Sequence, residues 1–348
     1  MIWALAVVSA LAAVPAGLRW LRIAQREHYL PSSTSRFAWR WWTTGPTNYV
    51  LALLGVVGVL GSLWSVWFGF LVAAAQVGPI GLSVTGVTSP LAWTDRMKRL
   101  TMVTSALVVL FCVLGVVADV PLFVALALLS LPVLVDIGLA ILAPVERSIA
   151  SKWVAKARAK LESVGPDVVA ITGSYGKTTT KNYVEHLLTG SRRTVASPAS
   201  FNNRMGLARA INEGLTAGTE VFIAEMGTYG PGEIAELCEW ITPKIAAMVA
   251  VGPVHLERFG TLERIVRAKA EILEHAEVGV INIGDPLLAP LAESKIESMQ
   301  IIEVEAWHGR LKVDGSDLGA VPDGAFGSNL AVAAGICLSL GVDRDVVL

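Results

Sequence analysis

Between Arg40 and Asp95 the chain carries no charged residue. A run of that length does not suit the surface of a water-soluble domain. It is also too long for a single bilayer crossing, which takes roughly 17–25 residues. It reads as a hairpin: Tyr49–Trp67 leads out, the chain turns near Trp67-Phe68-Gly69, and Phe70–Pro90 returns, with Gly78-Pro79 kinking the second arm. Further apolar runs are Ile2–Leu18 before it, and Met102–Ala118 and Val120–Ala143 after it, the last two separated by Asp119. No basic residue precedes the first run, whereas Arg19, Arg22 and Arg26 follow it. That order fits an anchor with its N-terminus outside better than a cleaved signal.

Basic residues fix the expected number of crossings. Arg36 and Arg40 stand beside Trp39, Trp41 and Trp42; Arg96, Lys98 and Arg99 form a second group; Lys152, Lys156, Arg158 and Lys160 form a third. Positive segments face the cytoplasm, and all three do so only if 49–90 crosses twice. The expectation is an all-α transmembrane bundle of five helices over residues 1–147, multi-pass in the cell membrane, with the remainder cytoplasmic. A connector over 148–166 contains a basic amphipathic stretch, Ser151–Ser163, of the kind that is either a solvated helix or a membrane-surface contact. Composition agrees: mean hydropathy is +0.58 with 11 Trp, and the apolar excess lies before Pro144. A net charge of −1 gives no electrostatic case for a nucleic-acid partner. The three cysteines form no C-x-x-C and no Cys/His zinc spacing, which fits a reducing compartment.

From Val168 the character changes. Apolar runs at Val168–Ile171, Val221–Ala224, Ile245–Val251 and Val278–Ile283 alternate with helical patterns near Thr178–Leu188, Met205–Leu215, Glu233–Trp240 and Leu262–Ala276. Alternation of this kind predicts an α/β domain with a mostly parallel sheet and helices on both faces. The first run feeds a glycine loop, Gly173-Ser174-Tyr175-Gly176, then Lys177, Thr178 and Thr179 and a helix. Strand, loop, Lys-Thr and helix make a phosphate cradle of the P-loop type. Loop N–H groups and the helix N-terminus face the anion, the lysine adds charge, and the Thr178 hydroxyl can hold Mg²⁺. The motif is the short T-G-x-x-G-K-T-T form, because Ile171 stands where the longer one has its first glycine.

Ligands of such sheets bind beyond the carboxyl ends of the strands. That edge would carry the glycine loop, then Glu225 after the second run, His255 in the Gly252-Pro253-Val254-His255 segment after the third, and Asn282 and Asp285 after the fourth. A carboxylate abutting an apolar strand is costly unless paired or on a metal, so Glu225 is a metal candidate. His255 taken alone is a loop histidine, Asn202-Asn203 a plain turn, and Lys269 an ordinary helical lysine.

In order along the chain, Ile-Thr-Gly-Ser-Tyr-Gly-Lys-Thr-Thr at 171–179, Asn202-Asn203-Arg204-Met205-Gly206, Ala224-Glu225-Met226-Gly227, the segment from Gly252 to Gly260, and Arg267-Ala268-Lys269-Ala270-Glu271 resemble the central ATP-binding domain of the Mur ligases. These are the ATP-dependent amide ligases of the peptidoglycan stem peptide. The paired asparagines and the Gly-Pro-x-His-Leu-Glu-x-Phe-Gly run resemble the branch that adds D-alanyl-D-alanine. The resemblance implies ATP and Mg²⁺ as cofactors, with Lys177 and the loop amides on the phosphates and Asn329 on the adenine. It implies Thr178 and Glu225 on one Mg²⁺, His255 helping to hold a second, and Lys269 carbamylated as a further metal partner. Asn202 and Asn203 would face the substrate. The implied reaction passes the γ-phosphoryl group to a cell-wall precursor carboxylate, and an amine, a dipeptide or amino acid, attacks the acyl phosphate.

The departures carry expectations of their own. A membrane region stands where the family has its UDP-gripping N-terminal domain, so a lipid-linked precursor or another polymer is an alternative acceptor. Gly284 replaces a usual Asp and Ser328 a common His. The family's C-terminal domain does not follow residues 167–348, which predicts either a fragment or a partner subunit that supplies that part. A non-catalytic ATP-binding membrane subunit is the alternative of a different class.

Overall fold

The computed structural model describes residues 1–76, 81–85, 90–198 and 201–347. The chain divides into two compact units, Met1–Ser148 and Ile149–Leu348.

The first unit is helical. Its elements are α1 (Ile2–Arg26), α2 (Ser33–Thr43), α3 (Pro46–Gly61), α4 (Val66–Gln76), α5 (Asp95–Ala118), α6 (Pro121–Leu129) and the start of α7 (Leu131–Val164). Among the described residues, α1 and α5 are long and apolar enough to cross a membrane. α6 with α7 and α2 with α3 qualify only as pairs, bent by 78° and 113°. By length and composition the described helices thus offer two spans, or up to four if each bent pair is one, beside the five helices expected from sequence. The hairpin turns earlier, at 62–65, because α4 packs on a glycine stripe of α3. A Cβ at Gly58 would lie 2.5 Å from Val72 Cγ2, and one at Gly61 2.4 Å from the Phe68 ring. α4 is an 11-residue helix ending at Gln76, and the expected kink at Gly78-Pro79 lies outside the described residues. The last apolar run is broken at Ser130, and both of its pieces touch α5. Gly115 meets Val124, Gly138 meets Leu100 and Thr104, and Glu146 pairs with Arg99 at 2.7 Å.

Polar contacts gather the end of α1 with Leu82, Ser83 and Ala92 and, beside them, the start of α5. Arg19 Nε donates to the Leu82 carbonyl at 2.9 Å, Arg22 to that of Ser83 at 2.5 Å, and Gln25 to that of Ala92 at 2.9 Å. The Arg96 guanidinium lies 4.2 Å from the Tyr29 ring centroid. Asp136 of α7 accepts from the Thr34 and Ser35 amides at 3.2 and 2.9 Å, capping the otherwise orphaned N-terminus of α2.

In the second unit the sheet has eight strands among the described residues: β1 (Asp167–Thr172), β2 (Thr194–Ala196), β3 (Val221–Glu225), β4 (Ile245–Met248), β5 (Val278–Asn282), β6 (Gln300–Trp307), β7 (Arg310–Val313) and β8 (Ser316–Ala320). Their order is β2-β3-β1-β4-β5-β6-β7-β8. The first six are parallel, and β7 and β8 add antiparallel. The mostly parallel sheet expected from sequence is what forms, with β1, β3, β4 and β5 at the four expected runs.

Strand residues alternate between two cores, as a sheet covered on both faces requires. Val168, Ala170, Phe222, Ala224, Ala246 and Met248 join one core; Val169, Ile171, Val221, Ile223, Ile245 and Ala247 join the other. α9 (Arg204–Gly214), α10 (Glu233–Ile241) and α12 (Leu262–Ala270) cover the first face, with the short α11 (Leu256–Phe259) preceding α12. α8 (Lys177–Leu188) and, after α13 (Ala289–Lys295), α14 (Gly327–Ser339) cover the second. The expected connector is the last part of α7: Val154, Ala157 and Leu161 are buried in the first-face core of this unit. That accounts for the amphipathic pattern by packing rather than by a membrane surface.

After β1 the chain winds to β2 and β3 on one side, then crosses to β4 on the other. The winding direction thus reverses around β1, and the carboxyl end of β1 is the topological switch point at which such sheets take ligands.

Candidate nucleotide and carboxylate site

The glycine loop leaves β1 at that switch point. Gly176 adopts φ +80° as the N-cap of α8, a conformation natural to glycine. A Cβ there would lie 2.7 Å from Asn329 Oδ1. Gly173 is fixed by crowding: a Cβ would come within 2.9 Å of the Tyr175 carbonyl and 3.1 Å of that of Ala250. Ser174 Oγ donates to the Gly252 carbonyl at 3.1 Å, and the exposed Tyr175 ring rests on Gly252. The loop is thereby tied to the segment that carries His255. On its other side, Asn329 of α14 donates to the Gly176 carbonyl at 3.4 Å.

Both candidate lysines point at one atom. Lys177 Nζ donates to the Gly173 carbonyl at 2.8 Å and Lys269 Nζ to the same oxygen at 3.1 Å. Burial holds Lys177 below its ordinary range, against the pull of Glu225. Burial, and next the Lys177 charge, bring Lys269 down to about 8. Lys269 is 6% exposed because α12 turns Ile265, Ala268 and Lys269 inward together. A cavity of about 130 Å³ opens here, lined by Gly173, Lys177, Asn202, Tyr229, His255 and Lys269 among others. One buried and one half-buried ammonium group beside a polar cavity and a helix N-terminus make a site for an anion.

Glu225 ends β3 at 3% exposure. Its Oε2 accepts from the Thr178 hydroxyl at 2.8 Å and from Lys181 Nζ at 3.4 Å. Its Oε1 accepts from Asn202 Nδ2 at 3.3 Å. The Thr178 and Glu225 oxygens are hard donors side by side, the kind Mg²⁺ takes in small number while keeping waters and phosphate oxygens. No group of three His, Cys, Asp or Glu able to hold a metal exists among the described residues, so a magnesium ion here would rest on this pair and on the ligand it bridges.

Other candidates take different places. His255 is brought to the cavity, where its ring meets that of Tyr229 edge-on at 4.8 Å, in an exposed, left-handed position capping α11. Asn203, expected to face substrate, is the N-cap of α9: its Oδ1 accepts from the Gly206 amide at 3.0 Å. Thr179 lies half-buried in the first turn of α8, outside the cavity lining. Asn282 and Asp285 brace the strand ends. Asn282 Nδ2 donates to the Val249 carbonyl at 2.8 Å, and Asp285 Oδ2 accepts from the Val251 amide at 2.7 Å.

Lys181 and Tyr229 were not singled out from sequence. Lys181 falls three residues after Thr178, hence on the same face of α8, which was the available signal. Nothing in the sequence marked Tyr229, since its place against His255 depends on a turn held by Glu233, which accepts from the Tyr229 amide at 2.7 Å.

The fold and this site define a nucleotide-binding α/β domain, with a phosphate loop at the switch point and a hydroxyl–carboxylate pair beyond it. More particularly, residues 171–314 match the family model of the Mur ligase middle domain. The UDP-N-acetylmuramoyl-tripeptide–D-alanyl-D-alanine ligase of Mycobacterium leprae is 37% identical over 141 residues, covering 40% of this chain and 27% of the relative. The enzyme of the same name from Bacillus subtilis is 38% identical over 135 residues, covering 38% and 29%. The chain thus spans less than a third of the length of these two curated relatives. The crystal structure of MurF from Acinetobacter baumannii shares the fold, with a TM-score of 0.50 at 24% identity, over 57% of this chain and 48% of that one.

Proposed function

We propose that the chain is the ATP- and Mg²⁺-binding part of an ADP-forming ligase that joins a peptidoglycan-precursor carboxylate to an amine, of the D-alanyl-D-alanine-adding type. The convergence of Lys177 and Lys269 on Gly173, beside the Thr178–Glu225 pair, carries this reading. Bound magnesium would draw charge from the terminal phosphates. The loop amides and Lys177 hold the nucleotide's phosphates. Asn202 fixes the other oxygen of Glu225. The substrate carboxylate attacks the γ-phosphorus and ADP leaves; the amine then attacks the acyl carbon, phosphate departs and the amine loses a proton. Positioning and charge neutralisation supply most of the rate in such transfers. Lys269 is suited to carbamylation. An amine with a pKa of about 8 is partly neutral near neutral pH, and only the neutral form adds CO₂. The carbamate would turn one of two adjacent cations into an anion facing Lys177.

The test uses the native protein extracted from its own membranes, together with any further domain or partner it carries, in detergent or nanodiscs with ATP, Mg²⁺, UDP-muramoyl-tripeptide and D-alanyl-D-alanine. ADP release that requires both acceptor and amine is expected. ATP binding without amine-dependent ADP release would favour a non-catalytic subunit. Turnover only with a polyprenyl-linked acceptor would favour the lipid-linked alternative, for which the apolar first unit is the supporting observation.

We further infer that the first unit is embedded in the cell membrane with residues 82–85 and 90–99 on the cytoplasmic side. The polar contacts that gather Arg19, Arg22, Gln25 and Arg96 at one end support this. A periplasmic reporter fused after Pro144 should be inactive and one fused after Ser65 active; the reverse result would overturn the topology.

A further inference from the structure

Lys181 is a buried cation that the reading above leaves unused. It lies one turn beyond Lys177 on α8 and is 3% exposed. Its Nζ donates to the Ser197 carbonyl at 2.7 Å and reaches Glu225 Oε2 at 3.4 Å. Ser197 is also tied to Glu225: its Oγ accepts from the Glu225 amide at 3.0 Å. The main chain of Glu225 and the ammonium beside its carboxylate are therefore both referenced to one residue, just after β2. The ring Lys181–Ser197–Glu225 joins the phosphate-loop helix to the end of β3.

A buried ammonium is costly unless paired and hydrogen-bonded, and this one is placed where its charge fixes the plane of the carboxylate. Thr178 and Lys181 both engage Oε2, while Asn202 engages Oε1. We propose that Lys181 is a positioning residue that holds Glu225 toward Thr178, so that the metal-bridged nucleotide depends on it and the bare nucleotide does not. Groups that orient a metal's ligand typically change metal affinity by about 10–100-fold when removed. This inference rests on the nucleotide and magnesium reading given above.

The test measures binding of β,γ-imido-ATP to the whole chain in nanodiscs, with Mg²⁺ and with EDTA. Lys181→Met keeps the aliphatic stem and removes the charge. It should weaken binding about tenfold or more in Mg²⁺ and less than about twofold in EDTA, where the loop amides and Lys177 act alone. If Lys181→Met fails to melt cooperatively, Lys181→Gln, whose amide can still donate, serves the same comparison. Equal weakening in Mg²⁺ and EDTA would mean that Lys181 only supports the loop, and would overturn the proposal. So would unchanged binding in both. A wild-type chain that binds no nucleotide under either condition would instead sink the ligase reading, and this inference with it.

Discussion

Lys177 and Lys269 share a single acceptor, the Gly173 carbonyl, at 2.8 and 3.1 Å. One comes from the phosphate-loop helix and the other from α12, on the opposite face of the sheet. Two ammonium groups thus converge on one oxygen, and each opposes the other's charge.

The first expectation concerns stability and pH. Lys269 titrates near 8 in the folded chain against an ordinary 10.5. Between these values the unfolded chain binds more protons, so stability rises with pH through that window. The penalty is fully present below pH 8 and fades toward 10.5. It amounts to roughly 3 kcal/mol at about 1.4 kcal/mol per pH unit, as an upper bound. Lys269→Met should melt above the parent at pH 7 in bicarbonate-free buffer, and the gap should close by about pH 10. A gap that stays constant across that range would contradict a titrating Lys269.

Carbamylation gives a second expectation. Lys269→Ala should lose turnover by about a hundredfold or more, as loss of a preorganised charge typically does. Short carboxylic acids should restore part of it, and the parent incubated with ¹³C-bicarbonate should show a carbamate resonance. Full activity of the variant without any additive would remove the carbamate from the mechanism.

Gly176→Ala forces a left-handed residue to carry a Cβ aimed at Asn329. The strain is about 1–3 kcal/mol, and nucleotide affinity should fall with it. Gly190 has a similar φ of +83° and no neighbour within 4 Å of its Cβ position. Gly190→Ala should therefore lower the melting temperature and leave nucleotide binding alone. If both variants bind nucleotide equally well, the Gly176–Asn329 contact has no part in the site.

Asp285→Ala removes the acceptor of the Val251 and Leu287 amides. It should cost about 1–3 kcal/mol for the unsatisfied donors and raise hydrogen exchange at 250–255, the approach to His255. Unchanged exchange there would show that Asp285 does not brace that segment.

Much of this was legible before any coordinates. The apolar runs that became β1, β3, β4 and β5 are buried on both faces, so their composition announces them. Residues 300–320 were missed because β6–β8 alternate polar and apolar residues at the sheet's exposed side. Yet the turns were signalled: His308-Gly309 and Asp314-Gly315 all have positive φ, and Asp-Gly is a two-residue hairpin signature. Lys269 could have been found without any family resemblance. It stands on the Ile265–Ala268 stripe, where a lysine on the inward face of a helix signals a function or a partner. The cap at Asn203 was open to the same reasoning, since an asparagine just before a helix is a preferred N-cap. The helices of the first unit were visible as apolar segments, but their breaks at Ser62–Ser65 and Ser130 come from how the helices pack on one another, which composition does not show.

The glycine stripe of α3 also bears on what such a lineage can inherit. Gly61 gives up a side chain to the Phe68 ring and Gly58 to Val72, so a larger residue at Gly61 demands a smaller one at position 68. The outward positions Leu53, Val56 and Leu60 are exposed and answer to no such partner. Descendants of this chain are free to drift on one side of the helix, while on the other a single new methyl group needs two simultaneous mutations to survive.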